Sequence, residues 1–268
     1  MPDRLPPPAM LAIEGVSHVG KSTLARGLAK EWGSPAITEA YDRLGADRTL
    51  AFRSDLELRQ IELELAQEDL QRMRDATTTS NEGPGVILDT DFLGPLSYTR
   101  GLVQLGMARP ETFDWLLRRY EQELARQRWR PADYYLYLDA PPALLRRRAV
   151  VAGRAGLDPV IERHLLVGAE ERQFFLGPLQ RILGPRLIRL STVGRIELVR
   201  QRALKRLSFP WVPLRDPQSA GRHILDVLSR ERKGTAALRS SDPGASMPHP
   251  APRGHRDGGG ADHERRNR

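Results

Sequence analysis

Apolar residues fall along this chain in two alternating kinds of run. Short strand-like runs led by apolar residues occur at 10–14, 36–39, 86–89, 134–139 and 187–191, the pattern of strands in a sheet covered on both faces. Between them, apolar residues three and four apart predict helices at 21–32, 55–75, 110–127, 142–152, 159–182, 194–206 and 219–232. Several of these open on a capping residue or on proline in the first turn. Strand and helix in alternation, without an internal repeat, predict an α/β fold: a five-stranded parallel sheet with helices on both faces, a three-layer sandwich.

The two ends break this pattern. Residues 1–8 are proline-rich and read as a loose arm ahead of the first strand. From about Lys233 the chain is rich in Gly, Pro, Ser, His and Arg, runs through Gly258-Gly259-Gly260, and holds almost no large apolar side chain. Such a segment cannot bury enough surface to offset its ordering entropy. The expected layout is one domain over residues 9–232 and a disordered tail over 233–268.

Composition narrows the class. Of 268 residues, 40% are hydrophobic and 28% charged, enough for a sizeable core under a highly charged surface. The formal charge of +8 favours anionic partners at long range. Arginine supplies most of the excess throughout the chain, so a solvated basic surface explains it better than a nucleic-acid footprint, and nucleic acid is not an expected partner. The absence of cysteine excludes disulfides, thiolate metal sites and cysteine nucleophiles together. The sequence shows no leader pattern, and no apolar stretch approaches the roughly 20 residues of a membrane span. These features predict a cytoplasmic protein with no membrane partner; a homodimer is left open.

The chemistry is carried by Gly15-Val16-Ser17-His18-Val19-Gly20-Lys21-Ser22-Thr23, which satisfies G-x-x-x-x-G-K-[ST] between an apolar block and an amphipathic helix. The glycines allow a tight turn whose N–H groups face phosphate oxygens. Lys21 offers a mobile charge to the β- and γ-phosphates, and Ser22 a hydroxyl to Mg²⁺. Thr23 opens the helix on the α-phosphate side, and the helix dipole favours the same anion. ATP and Mg²⁺ are therefore the expected cofactors. His18 either contacts a phosphate or is an exposed loop residue.

The wider segment from Ile13-Glu14-Gly15 to Leu24 resembles the start of the thymidylate kinase and deoxynucleoside kinase families, which share its I-E-G lead but usually carry glycine where this chain has His18. The run Asp89-Thr90-Asp91-Phe92 is similar to the corresponding segment of bacterial ribosylnicotinamide kinases, whereas thymidylate kinases have D-R there. The resemblance thus covers P-loop nucleoside and nucleotide kinases as a group. It implies that Glu39, at the end of the second strand block, binds or deprotonates the acceptor hydroxyl.

Ligands of open parallel sheets bind beyond the carboxyl ends of the strands. Asp89 there suits Mg²⁺ in the manner of a Walker B carboxylate. Asp91 is either a substrate ligand or base, or a helix cap, with equal claim; Asp139 is read as a cap. The stretch 141–159, a helix bearing Arg146, Arg147 and Arg148 followed by a glycine-flanked turn, resembles the helical lid of these kinases. Arg154 in that turn is the candidate to meet the transferring phosphoryl. On the acceptor side the resemblance offers Arg53, Arg59 and Gln60, with Tyr98 and Arg100 behind the third strand.

The expectation is a kinase moving the γ-phosphoryl of ATP to a small-molecule acceptor, a nucleoside or nucleoside monophosphate. One alternative is a phosphotransferase acting on an antibiotic or a vitamin-derived riboside. Another is a nucleotide-dependent switch or nucleic-acid-associated NTPase, against which stands the lack of an N-K-x-D segment.

Overall fold

A computed structural model of the protein describes residues 9–44, 52–83, 85–151 and 158–240. Five strands form one parallel sheet: β1 (Met10–Glu14), β2 (Ala36–Ile37), β3 (Val86–Asp89), β4 (Tyr134–Asp139) and β5 (Leu187–Ser191). Their order is β2-β3-β1-β4-β5, so the P-loop strand is central, with β3 on one side and β4 on the other. Helices α1 (Lys21–Trp32), α2 (Ala40–Leu44), α3 (Asp55–Glu82), α4 (Leu93–Gln104) and α5 (Pro110–Ala125) precede β4. After it come α6 (Pro142–Val151), α7 (Asp158–Phe174), α8 (Gln180–Leu183), α9 (Ile196–Arg206) and α10 (Pro217–Ser240). The expected α/β three-layer architecture is the observed one.

The period of two along each strand sends alternate side chains to opposite cores. Met10, Ala12, Val86, Leu88, Tyr135 and Tyr137 pack with α3, α4, α5 and α10. Leu11, Ile13, Ile87, Leu136 and Leu138 pack with α1, α6 and α9. Every residue of β1 is buried, which is why its sequence reads as an unbroken apolar run ending in Glu14.

Four elements depart from the sequence expectation, each for a local reason. Strand β2 stops at Ile37 rather than residue 39, because the carbonyl of Thr38 receives the Arg72 guanidinium instead of a ladder hydrogen bond. Helix α3 runs past residue 75 through Thr77, Thr78, Thr79 and Ser80, poor helix formers held there by the burial of Ala76 and Ser80. Helix α4 escaped the pattern because Gly94, Pro95 and Gly101 interrupt it; Pro95 sits in the first turn, where no intrahelical N–H bond is lost. The helix expected over 159–182 is broken by a π-helical turn, Phe175–Leu179, that accommodates Pro178.

The chain divides into two units, Met1–Glu231 and Arg232–Arg268. The expected loose tail is corrected in its first residues: α10 is helical through Ser240, where the Ala236-Ala237-Leu238-Arg239 run suits a helix. The rest of the tail lies outside the described residues. Among the described residues no helix is long and apolar enough to cross a membrane.

Candidate functional site

The segment from Gly15 to Gly20 leaves β1 and turns into the N-terminus of α1, with Gly20 at φ 105° as the cap. Glycine is required at residue 15. Its φ is 135°, and a Cβ there would stand 2.6 Å from the carbonyl oxygen of Leu138 on β4. His18 has φ 65°, in the left-handed region. The resembled families use glycine at that position, and the backbone here keeps the conformation that glycine adopts most readily. The loop is braced from behind. The Ser17 hydroxyl and His164 Nδ1 on α7 are hydrogen-bonded at 2.7 Å, and Arg148 of α6 donates to the Val19 carbonyl at 2.8 Å and to the Thr192 carbonyl at 2.7 Å.

A cleft of about 530 Å³ opens over this loop. The loop residues Ser17 to Thr23 form its floor, and Arg148, Thr192 and Ile196 its far end. Lys21 Nζ lies 3.5 Å from Glu39 Oε2. Burial alone would lower the lysine's pKa, but Glu39, Asp89, Glu14 and Glu171 outweigh it and leave the pKa raised, so the ammonium is kept charged.

Asp89 is buried at the end of β3, beside the P-loop strand. Burial raises its pKa and Lys21 opposes that rise, with the Ser22 hydroxyl acting in the same sense as Lys21. Neither carboxylate oxygen has a partner at normal hydrogen-bond geometry. Two orphaned oxygens beside Ser22 and Lys21 are the donor set that a hard divalent cation completes, so the residues fit Mg²⁺. Among the described residues no three His, Asp or Glu side chains group to hold a metal. A cation at Asp89 would therefore draw most of its ligands from nucleotide phosphates and water.

Asp91 is placed elsewhere. It is fully buried, its Oδ1 accepts the Leu93 N–H at 2.8 Å, and its own N–H donates to Glu14 Oε1 at 2.7 Å. Asp91 thus holds the N–H of the first residue of α4, one residue ahead of the N-cap, Phe92. Burial raises its pKa to about 6, and burial with the Asp91 charge pushes Glu14 well above the usual carboxylate range. Asp139 accepts from Arg172 at 3.1 Å and also from Arg189, an ion-pair role away from the P-loop.

A second, smaller cavity of about 150 Å³ adjoins the first, and Ser17, Lys21, Glu39 and Tyr41 line both. Its walls come from α3, α4 and α7. From α3 it takes Leu58, Glu62, Leu65, Asp69 and Arg72, spaced by four and three residues and so on one helical face. Glu171 of α7 completes it, accepting from the Ser97 hydroxyl at 3.1 Å. Glu62 and Glu171 are both buried, and burial pushes each pKa up to about 7.

The α3 residues expected on the acceptor side lie elsewhere. Arg53 is exposed and pairs with Glu57 at 3.5 Å. Arg59 turns to Thr112 Oγ1 at 2.9 Å, and Gln60 is exposed. None of the three lines the cavity. Glu62, Asp69 and Arg72 were the signal to follow, because they interrupt the stripe set by Leu58 and Leu65, and a charged residue on an apolar stripe is buried for a reason. Tyr98 does line the cavity, whereas Arg100 lies over the Phe174 ring at 4.9 Å. In the lid, Arg146 forms a two-pronged pair with Glu162, at 2.9 and 2.8 Å; Arg154 lies outside the described residues.

A model of the AAA domain family matches residues 11–147. No curated protein gives a significant match. Among solved structures, a deoxyadenosine kinase from M. mycoides with bound dATP superposes with a TM-score of 0.58 at 14% identity, covering 75% of this chain and 100% of the other. The same enzyme with the products dCMP and a flexible dCDP bound gives 0.56 at 14% identity, covering 74% and 98%. At that identity the likeness is one of fold.

Proposed function

Because the chain belongs to the AAA domain family, whose model spans more than half of it, and because its P-loop is complete, we propose that the protein transfers the γ-phosphoryl of ATP to a hydroxyl of a nucleoside-like small molecule. The observation that carries this reading is the meeting of two cavities at Lys21 and Glu39. A nucleotide laid along the larger one, with phosphates on the loop N–H groups, brings its terminal phosphoryl to the mouth of the smaller one.

In this reading each residue has one task. Lys21 takes charge from the β- and γ-oxygens, and the N–H groups from Gly15 to Thr23 hold the phosphates in line. Ser22 and Asp89 hold Mg²⁺, which when bound neutralises the phosphate charge. Glu39 stands 3.5 Å from the lysine that marks the γ-position, placed to accept the proton of an acceptor hydroxyl in the adjoining cavity. Asp91 acts through the fold, holding the first N–H of the helix that forms the cavity's wall.

The cavity chemistry favours an acceptor without a phosphate. Its described lining holds Glu39, Glu62, Asp69 and Glu171, while Lys21 serves ATP and the Arg72 guanidinium is committed to Asp69 and backbone carbonyls. A phosphomonoester would meet like charge from Glu39 and, above about pH 7, from Glu62 and Glu171, whereas sugar hydroxyls would meet acceptors. Nucleosides are thus favoured over nucleoside monophosphates, with hydroxylated antibiotics and vitamin-derived ribosides as the other members of the class.

A screen with γ-labelled ATP against nucleosides, their monophosphates and such hydroxylated compounds tests the proposal. Label should appear on an unphosphorylated acceptor and depend on Mg²⁺. ATP hydrolysis stimulated by DNA, with no labelled acceptor, would sink it.

A further inference from the structure

Strands β2 and β3 are paired through Ala36 with Ile87 and Ile37 with Leu88, and the ladder then stops. Beyond it the two strands carry the groups that matter most to the proposed chemistry, Glu39 after β2 and Asp89 at the end of β3. Asp89 is still held by its pairing with Ile13 of β1, but the ladder does not reach Glu39, so the spacing between base and metal ligand is not set by β2–β3 pairing.

The link between them is Arg72 of α3, almost wholly buried. Its Nε donates to the Thr38 carbonyl, the residue before Glu39. Its Nη2 donates to the Asp89 carbonyl at 2.7 Å and the Thr90 carbonyl at 2.9 Å. Its Nη1 donates to Asp69 Oδ1, and the other oxygen of Asp69 accepts from the Tyr120 hydroxyl of α5 at 2.8 Å. One rigid guanidinium thus spans both strand ends, and Tyr120 and Asp69 orient it from the core. Thr90, which it also holds, sits at φ 67°, a left-handed conformation that a β-branched residue does not keep unaided.

We propose that Arg72 is a positioning residue that fixes Glu39 and Asp89 at a working separation, with Asp69 and Tyr120 holding Arg72 in turn. The assignment rests on the roles given to Glu39 and Asp89 above. An ammonium cannot replace it. Lysine keeps the charge beside Asp69 but is a point donor, and it lacks the planar fork needed to reach Thr38 on one side and Asp89 and Thr90 on the other.

The test compares Arg72→Lys and Tyr120→Phe with the wild type by three measurements: acceptor turnover, thermal melting, and binding of a non-hydrolysable ATP analogue with and without Mg²⁺. For Arg72→Lys we expect kcat to fall by about 100-fold, the size of a misplacement near 1 Å, with KM for ATP rising by the factor that Mg²⁺ no longer contributes to binding. The tightening of the analogue by Mg²⁺ should be largely lost while its metal-free affinity is kept. Tyr120→Phe should shift both quantities in the same direction by less than Arg72→Lys. Methylguanidinium should partly restore kcat to Arg72→Ala, and ammonium should not. An Arg72→Lys variant with wild-type kcat and an unchanged Mg²⁺ response overturns the proposal. A wild-type protein that phosphorylates no acceptor would instead sink the kinase reading, and the Mg²⁺ response of analogue binding, which needs no acceptor, would still decide the role of Arg72.

Discussion

The nucleotide half and the acceptor half of the cleft are built in opposite ways. The proposed nucleotide half takes most of its floor from one contiguous loop, 15–23, whose backbone would do the binding and whose shape is set by glycines and a helix start. The acceptor half is assembled from α3, α4, α7 and the end of β2, and its polar groups include Glu62, Asp69 and Glu171, buried carboxyls whose pKa burial raises. A loop of backbone donors works wherever it is folded, whereas a pocket of carboxylates depends on every element around it. The first half should therefore respond to substitution through binding and chemistry alone, and the second through stability and pH as well.

The largest effect should come from the point where the halves meet. Lys21→Ala should lower kcat by at least about 100-fold, the scale of losing one electrostatic donor to a transition state. The fold should persist. Steady-state kinetics beside circular dichroism checks both, and retention of most of the wild-type kcat would contradict the P-loop role.

Next, the two carboxylates flanking Lys21 should separate by their dependence on metal. Asp89→Asn should show weakened Mg²⁺ dependence, with part of the lost kcat recovered at raised Mg²⁺. Glu39→Gln should chiefly impair acceptor use, leave ATP binding near normal, and gain nothing from added Mg²⁺. If Glu39→Gln keeps acceptor turnover and Asp91→Asn abolishes it, the base belongs on the other strand.

A smaller effect should divide the halves by pH. Glu62 and Glu171 hold protons up to a pH of about 7 against 4.5 for an ordinary glutamate, because burial disfavours the charged form. The folded state then binds more protons than the unfolded one between those values, so stability is fully present at low pH and falls as pH rises through that window. Glu62→Gln should raise Tm by about 2–4 °C at pH 8, the response to roughly 1 kcal/mol in a domain of this size, and leave it unchanged at pH 5. Lys21, with its pKa raised above 10.5, stays charged throughout, so it adds no such dependence to the nucleotide half. Melting curves at the two pH values decide the matter.

The smallest effect concerns the loop itself. His18→Gly should stabilise by no more than about 1 kcal/mol, since glycine relieves a left-handed residue but loses more chain entropy on folding. His18→Val should destabilise, because a β-branched residue tolerates that conformation least. Urea denaturation measures both.

Much of this protein was legible one residue at a time. The five strand blocks, their parallel arrangement and the loop from Gly15 to Thr23 were all visible as sequence, because a doubly covered strand must be apolar along its length and a phosphate loop needs glycine and lysine at fixed spacing. The ends of strands and helices were less legible. Thr38 leaves the sheet for Arg72, the threonines after Asp75 remain helical because Ala76 and Ser80 are buried, and Pro178 turns one expected helix into three segments.

The acceptor half was where local pattern pointed to the wrong face of a helix. Arg53, Arg59 and Gln60 carry the polar groups a reader expects in a binding wall, yet Glu62, Asp69 and Arg72 occupy it. What sequence alone determined here is the fold and the glycine-bearing loop from Gly15 to Thr23, both consequences of short-range periodicity and backbone geometry. Only the tertiary structure decided which charged side chains α3 buries, that Asp91 is tied to Glu14 and the start of α4, and that Arg72 ties together two strands its own helix does not belong to. Those outcomes depend on contacts between residues far apart in the chain, and a buried charge is set by what surrounds it rather than by its neighbours in sequence.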